Sequence, residues 1–352
     1  MKKVWMLPIE SGLGRYSEQW LTMFTNKLYQ NGIPQYTIFG NQLKNGIENG
    51  EFLDVINTNY YKSTQLAKLI ELISDGSVKD GDWILVHDGW FPGLESLFYI
   101  RDGMGKKFKI AICLHAGTWD PFDFLTKRGM GLWACGVEET WMRGVDKIFV
   151  ATEFHKDILQ NNRDFDISKV HVTYFPLSVV ETNFRSWEEK EKIVVFPHRL
   201  ALEKQPHVFG IMAAELGNKY AKLGWQFIKS KDVCQTKHEY YDLLSKSRIA
   251  VSCALQETWG IAQQESVLSG CLPVVPDRLS YPEIYPKCFR YERDEDCLDM
   301  IENMIEVIEG DSPEHLESAS GLLQARNECL DFIIKSSQDS IDKMLQKMSL
   351  YN

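Results

Sequence analysis

Two glutamates, Glu257 and Glu265, stand with seven residues between them in the run QETWGIAQQE. Within that interval Gly260 and Ile261 mark the point where a polar turn becomes a helical pattern, which Gly270 closes. A helix N-terminus presents unpaired backbone N–H groups and partial positive charge, so a diphosphate binds there without a dedicated side chain. If most of the interval is helical, the carboxylates lie roughly 12 Å apart. That span suits a ligand with phosphates in the middle and sugar hydroxyls reaching both ways, because carboxylates accept from hydroxyls. Two cations, Arg199 and Lys204, follow the apolar run KIVVFP and precede a helical pattern over 205–220. A guanidinium fork and an ammonium placed there could meet an anionic ligand group. Gly12 and Gly14 lie in a turn after the first apolar run, where backbone can approach a ligand closely. His87-Asp88 ends WILV and His115 ends IAICL, and both are polar groups placed directly after strand-like runs.

Elements that could position these groups are legible as alternating apolar runs and helical patterns. Strands are predicted over 4–9, 35–40, 52–57, 82–89, 108–117, 147–154 and 170–175, with helices near 16–30, 63–75, 94–103 and 130–143. The second half repeats the scheme with KIVVFP, GWQFIKS, RIAVSCA and LPVVP around helices at 205–220, 236–247 and 261–269. Such alternation predicts parallel sheets covered on both faces, with ligands gathered at the carboxyl ends of the strands. A polar stretch between Pro176 and Lys192 reads as an interdomain linker. The expected domains are 1–178, 190–325 and a terminal helical segment, 326–352, which carries an apolar stripe (Leu330, Ile333, Ile334, Ile341, Met344, Leu345).

The stretch 251–286 resembles the retaining glycosyltransferases of family 4, whose signature is Glu, seven residues, Glu, followed by a Gly and an apolar Pro-Val strand. The branch that mannosylates queuosine in transfer RNA is the more similar, through Gly270-Cys271-Leu272-Pro273 and the run Tyr281 to Pro286. The resemblance covers about the C-terminal half. It implies the GT-B fold, an α/β architecture of two Rossmann-like domains facing each other across a cleft, with the C-terminal helix of 326–352 returning to pack on the first domain. It further implies a nucleoside-diphosphate sugar (UDP- or GDP-sugar) as donor, with Glu257 on the transferred sugar, Glu265 on the ribose, and Arg199 and Lys204 on the diphosphate. His115 falls near the donor sugar's hydroxyls, and the loop of Gly12 and Gly14 at the cleft. The catalytic set would be His115, Glu257, Arg199 and Lys204. The donor-binding set would be Gly12, Gly14, Arg199, Lys204, Glu257, Gly260, Ile261 and Glu265.

Composition sets the remaining bounds. With 352 residues, 44% hydrophobic and 25% charged, two globular domains are expected and disorder is not. No membrane-length apolar run and no leader-like h-region is present, so a cytoplasmic chain acting without a membrane is expected, with a phage-encoded chain acting in the host cytoplasm as one form of that expectation. The eight scattered cysteines read as free thiols, and no Asp-x-Asp metal site is apparent, so metal independence is expected. The resemblance, not the composition, implies the acceptor: a hydroxyl on a modified nucleic-acid base, 5-hydroxymethylcytosine in phage-type DNA first, by analogy, and queuosine in transfer RNA second. A net charge of −10 requires any nucleic-acid contact to be local. Lys106, Lys107, Lys109, Lys127 and Arg128 are the candidates for phosphates, and Trp90, Trp119, Phe122 and Trp133 for a displaced base. The alternatives are an enzyme of polysaccharide or lipid-linked sugar synthesis, and an inactive nucleotide-sugar-binding module.

Overall fold

The structure, a computed structural model, describes residues 2–10, 16–43, 54–178 and 185–351, with side chains from Gln19 onward in the first helix. Two compact units result, one of 1–177 together with 337–352 and the other of 178–336.

In the first unit the order is β1 (Val4–Leu7), α1 (Tyr16–Gln30), β2 (Gln35–Thr37), α2 (Val55–Ser74), β3 (Trp83–Val86), α3 (Glu95–Gly103), β4 (Lys109–Cys113), α4 (Phe124–Lys127), α5 (Gly131–Gly144), β5 (Lys147–Val150), α6 (Glu153–Asn162) and β6 (Val170–Val172). The strands form a parallel sheet in the order β2-β1-β3-β4-β5-β6. Strand β1 is VWML and β3 is WILV, both buried along their whole length, as expected when helices cover both faces. Chain order reverses between β1 and β3, so the carboxyl ends of those strands open the crevice where ligands collect in such sheets.

The second unit runs β7 (Ile193–Phe196), α7 (Pro206–Tyr220), β8 (Gln226–Lys229), α8 (Ser230–Val233), α9 (Lys237–Lys246), β9 (Ile249–Val251), α10 (Ile261–Leu268), β10 (Leu272–Pro276), α11 (Tyr281–Ile284), β11 (Arg290–Tyr291) and α12 (Asp296–Glu309). Its parallel sheet has the order β11-β10-β9-β7-β8, reversing between β7 and β9. Helix α13 (Pro313–Lys347) is continuous, and its residues from Ser337 onward group with the first unit. There Ile341, Met344 and Leu345 are buried, and Ser337 Oγ accepts from the Leu177 backbone N–H at 2.6 Å.

Two expectations fail in the first unit. The run 52–57 is no strand: Phe52 and Leu53 lie outside the described residues, and Asp54 caps α2 by accepting from the backbone N–H groups of Ile56 and Asn57. Val55 and Ile56, which read as strand residues, are exposed on the first turn of that helix, while Asn57, Tyr61, Gln65, Leu69 and Ile73 bury its inner face. A local β-propensity yields here to a cap and a four-residue period. The strand predicted over 147–154 likewise stops at Val150, because Thr152 Oγ1 accepts from His155 N–H at 3.2 Å and starts α6.

The polar stretch before β7 is anchored in the second unit. Lys190 is 3% exposed and donates all three ammonium protons, to the carbonyls of Ser245 (2.7 Å), Ser247 (2.9 Å) and Ser269 (2.8 Å). Those carbonyls close α9 and α10, so one cation answers the negative ends of two helices.

Candidate active site

The switch point of the second unit collects most of the sequence candidates. Strand β7 ends at Phe196 and delivers His198 and Arg199; a 3-10 turn over Leu202–Lys204 follows, and β9 ends at Val251 and leads to Gln256 and Glu257. Lys204 lies 3.1 Å from Glu257 Oε2, with its side chain 8% exposed, and donates also to the Gln256 carbonyl. Gln256 Oε1 accepts the third proton at 3.4 Å, the longest of the three bonds and the one a ligand oxygen would displace. Burial works to raise the Glu257 carboxyl. Lys204, His198 and the Gly260 backbone N–H outweigh it and hold the group below the usual range, ionised. Arg199, in the loop after β7, pairs with Glu203 at 2.5 Å, four positions along the chain. His198, 3% exposed, is pushed down to about 3 by burial, with Lys204 and Arg199 acting in the same direction, so it stays neutral between the two cations.

Helix α10 begins at Ile261, so only half of the interval between the two glutamates is helical and Glu257 sits in the turn ahead of it. Gly260 caps that helix at φ 76°, a left-handed conformation that residues with a Cβ rarely adopt. Inside the helix Glu265 is 5% exposed. Its Oε1 accepts from Lys237 Nζ at 2.6 Å and from Tyr241 OH at 2.9 Å. Sequence reasoning missed both partners. The capping box of Thr236 and Glu239 fixes where α9 begins, which puts Lys237 and Tyr241 one turn apart on a single face. Glu283 falls in the four-residue α11, behind Pro282, whose ring suits a first turn.

At the switch point of the first unit, Lys62 from α2 meets Asp88 at 2.6 Å and the Trp90 carbonyl at 2.6 Å. His115 lies 2.8 Å from the carbonyl of His87 and stacks beside Trp20 and Phe175, each ring centroid 4.9 Å away. Burial lowers the His115 pKa, partly opposed by Asp88 and that carbonyl. His87 does not present its ring to a ligand. It is 1% exposed, packs 4.6 Å from Phe24, and is pushed down to about 3 by burial. Gly12 and Gly14 lie outside the described residues.

The loop after His115 is held from behind by a buried ion pair. Glu138, 1% exposed, accepts from the Thr118 N–H (2.8 Å), the Trp90 indole (2.9 Å) and Arg163 Nη2 (2.6 Å). Trp119 is core, 2% exposed, and a Cβ on Gly117 would sit 2.1 Å from its ring, so this tryptophan cannot receive a base. Trp133 is 55% exposed and Lys127 and Arg128 are exposed, lying over the rings of Phe122 (4.8 Å) and Phe124 (5.1 Å). Lys106, Lys107 and Lys109 sit elsewhere. They precede or open β4, so parallel strands place them at the amino edge of the sheet, away from the edge that carries His115.

All eight cysteines are free thiols, five of them buried. Among the described residues no group of three or more His, Cys, Asp or Glu is arranged to hold a metal ion, and no helix is long and apolar enough to cross a membrane.

No protein-family model matches the chain. A tRNA-queuosine alpha-mannosyltransferase of Drosophila melanogaster is 27% identical over 150 residues, which cover 34% of this chain and 40% of that protein. The chain therefore matches less than half the length of this curated relative. Sucrose-phosphate synthase from Thermosynechococcus elongatus superposes with a TM-score of 0.63 over 99% of this chain and 97% of its own, at 11% identity. An alpha,alpha-trehalose-phosphate synthase (UDP-forming) from Burkholderia vietnamiensis does so with a TM-score of 0.62 over 100% and 99%, at 12% identity. Likeness of that extent at so low an identity shows the fold, which is GT-B: two parallel-sheet α/β domains with a helical C-terminal segment.

Proposed function

We propose that this chain is a retaining glycosyltransferase that moves a sugar from a nucleoside-diphosphate sugar to a hydroxyl on a modified nucleobase. The observation that carries the donor half is the cluster at the carboxyl ends of β7 and β9. There Arg199, Lys204 and an ionised Glu257 stand before a helix whose first turn follows Gly260, with Glu265 held rigid inside it. In this reading Arg199 and Lys204 meet the diphosphate, Glu257 the transferred sugar, and Glu265 the ribose. The bond from the anomeric carbon to the phosphate oxygen breaks, and the acceptor oxygen bonds to that carbon on the same face. The acceptor proton passes to the departing phosphate. The side chains then act by positioning and by neutralising charge on the leaving group. In this reading His115 would serve the transferred sugar's hydroxyls.

For the acceptor, the sequence likeness to a queuosine mannosyltransferase puts queuosine in transfer RNA first, ahead of 5-hydroxymethylcytosine in DNA, which no observation favours. The test incubates the purified chain with UDP- and GDP-sugars and either bulk transfer RNA or hydroxymethylated DNA, then weighs the digested nucleosides. A sugar-bearing nucleoside from one pool identifies the acceptor. Donor hydrolysis with no modified nucleoside in either pool would sink the nucleic-acid reading and keep the donor half. Neither hydrolysis nor transfer would point to a nucleotide-sugar-binding module.

A further inference from the structure

The chain leaving the His115 loop turns through α4 into α5, and the surface it makes there is unlike the acidic average of the protein. Positions 124–137 hold no Asp or Glu, in a chain with 49 of them, yet include Lys127 and Arg128. Both cations are exposed, and among the described residues neither pairs with a carboxylate. Each lies instead over an aromatic ring, Lys127 over Phe122 at 4.8 Å and Arg128 over Phe124 at 5.1 Å. In the first turn of α5, Leu132 is 98% exposed and Trp133 is 55% exposed. The Trp133 indole is braced from one side. It meets the Trp90 ring at 68° with centroids 6.3 Å apart, and the Trp90 indole N–H donates to Glu138 at 2.9 Å. Thr126 Oγ1 donates to the Asp120 carbonyl at 2.8 Å, which ties α4 back to the loop.

Three glycines, Gly129, Gly131 and Gly136, flank Trp133 along the chain, and at each a Cβ would meet nothing within 4 Å. Of the three, Gly129 alone has a positive φ, 74°. Neither crowding nor backbone conformation in the folded chain therefore calls for Gly131 or Gly136. A glycine inside a helix weakens it relative to alanine, and what it gains is room for another molecule to come close to the backbone. The result is a low, open face around a raised aromatic ring.

We propose that Trp133, with Lys127 and Arg128, is a docking platform for the unpaired loop of an RNA, one base stacking on the indole and neighbouring phosphates meeting the two cations. Every base has a π-face and every nucleotide a phosphate, so an exposed ring beside unpaired cations suits a single strand. In a duplex both faces of each base are already stacked. A lipid surface fits less well. The exposed positions of α5 continue from Leu132 and Trp133 to Gly136, Thr140 and Arg143, with no further apolar side chain to insert. This platform rests on the nucleobase reading of the acceptor and adds to it the surface that holds the RNA.

The test titrates the full-length chain into a labelled RNA stem-loop and, separately, into a blunt RNA duplex of the same composition, reading fluorescence anisotropy. Saturable binding is expected, tighter for the stem-loop. Trp133→Ala should weaken it about 5- to 150-fold, the worth of one stacked base, while Trp133→Phe and Trp133→Tyr stay within about threefold of the parent. Gly136→Glu fills an open helix position with a charge that repels phosphate. It should weaken binding at least about fivefold with no loss of thermal stability. Equal affinity of Trp133→Ala and the parent, or equal affinity for stem-loop and duplex, overturns the platform. Binding to phosphatidylglycerol vesicles without binding to the stem-loop also overturns it and makes the face a membrane contact. Sugar transfer to bulk transfer RNA is measured on the same proteins. Transfer at subsaturating RNA that Trp133→Ala leaves unchanged overturns the platform and keeps the proposed function. Trp133-dependent binding of the stem-loop with no transfer by the parent counts against the proposed function and leaves the platform standing.

Discussion

Glu265 is fixed by two partners on one oxygen, Lys237 and Tyr241, which makes it a pre-organised acceptor rather than a mobile helix-surface acid. If it holds the ribose, Glu265→Ala lowers nucleoside diphosphate affinity by about 10- to 100-fold, the worth of one charge-assisted hydrogen bond. Calorimetry that returns an unchanged affinity would refute that role. Glu257 has a different environment, paired with a nearly buried Lys204. Its alanine variant would strand that cation, so Glu257→Gln is the cleaner probe. Turnover should drop while nucleoside diphosphate affinity stays within about threefold, since the partner is the sugar. The buried histidines report differently. His87, His155 and His198 are each lowered to about 3, chiefly by burial. A histidine that stays neutral when folded but protonates near pH 6.5 when unfolded adds stability that is complete above that pH and is lost as the pH falls towards 3. Each contributes a slope of about 1.4 kcal/mol per pH unit. Both ring nitrogens of His155 are buried without partners, so His155→Leu should flatten the fall in urea midpoint between pH 6 and 4.5. An unchanged slope would show that its pKa is not depressed.

At the scale of elements, the start of α10 and the ends of α9 and α10 carry the most consequence. Gly260 holds a left-handed turn, and a Cβ there would lie 3.4 Å from the Tyr281 ring and 3.6 Å from Glu257 Cγ. Gly260→Ala is expected to cost about 1–2 kcal/mol of stability through the backbone. Because the added methyl abuts Glu257, turnover should fall at temperatures where the variant is fully folded. Full activity in the folded variant would separate that turn from the reaction. Lys190 ties three terminal carbonyls together, so Lys190→Met should lower the unfolding free energy by about 3 kcal/mol or more, seen as a lower urea midpoint. Its sequence setting, SWEEKEK, gives no hint of this, because burial of a lysine depends on carbonyls brought in from residues 245–269.

For the whole molecule, charge placement decides which surface meets a polyanion. The cations exposed beside the His115 loop are Lys127 and Arg128, whereas Lys106, Lys107 and Lys109 occupy the amino edge of their sheet. If the acceptor is nucleic acid, its Michaelis constant rises steeply with salt, and Lys127→Glu with Arg128→Glu reduces that dependence by about 0.7–0.9 per lost phosphate contact. Lys106→Glu and Lys107→Glu should leave it unchanged. A flat salt response in the parent enzyme would end the nucleic-acid reading at once.

The alternating apolar runs by themselves determined the parallel sheets, because strands covered on both faces must be apolar throughout, as in VWML, WILV, IVVF and LPVVP. Local sequence also brought the candidate residues to the second switch point, since Arg199 and Lys204 follow β7, Glu257 and Gly260 follow β9, and Glu265 lies on the helix that comes next. Only the tertiary structure decided what each group meets. Glu265 finds Lys237 and Tyr241 across 28 and 24 positions of chain, Glu138 finds Arg163 across 25, and Lys62 finds Asp88 across 26. No spacing rule reaches that far. The misread strand at 52–57 has the opposite cause. Its β-branched residues describe a local preference, and Asp54 capping a helix that buries a distant face outweighs it. Burial made the same kind of decision for His87 and Trp119, two residue types that bind ligands when exposed. In this chain neighbouring elements close over both, and they fill the core.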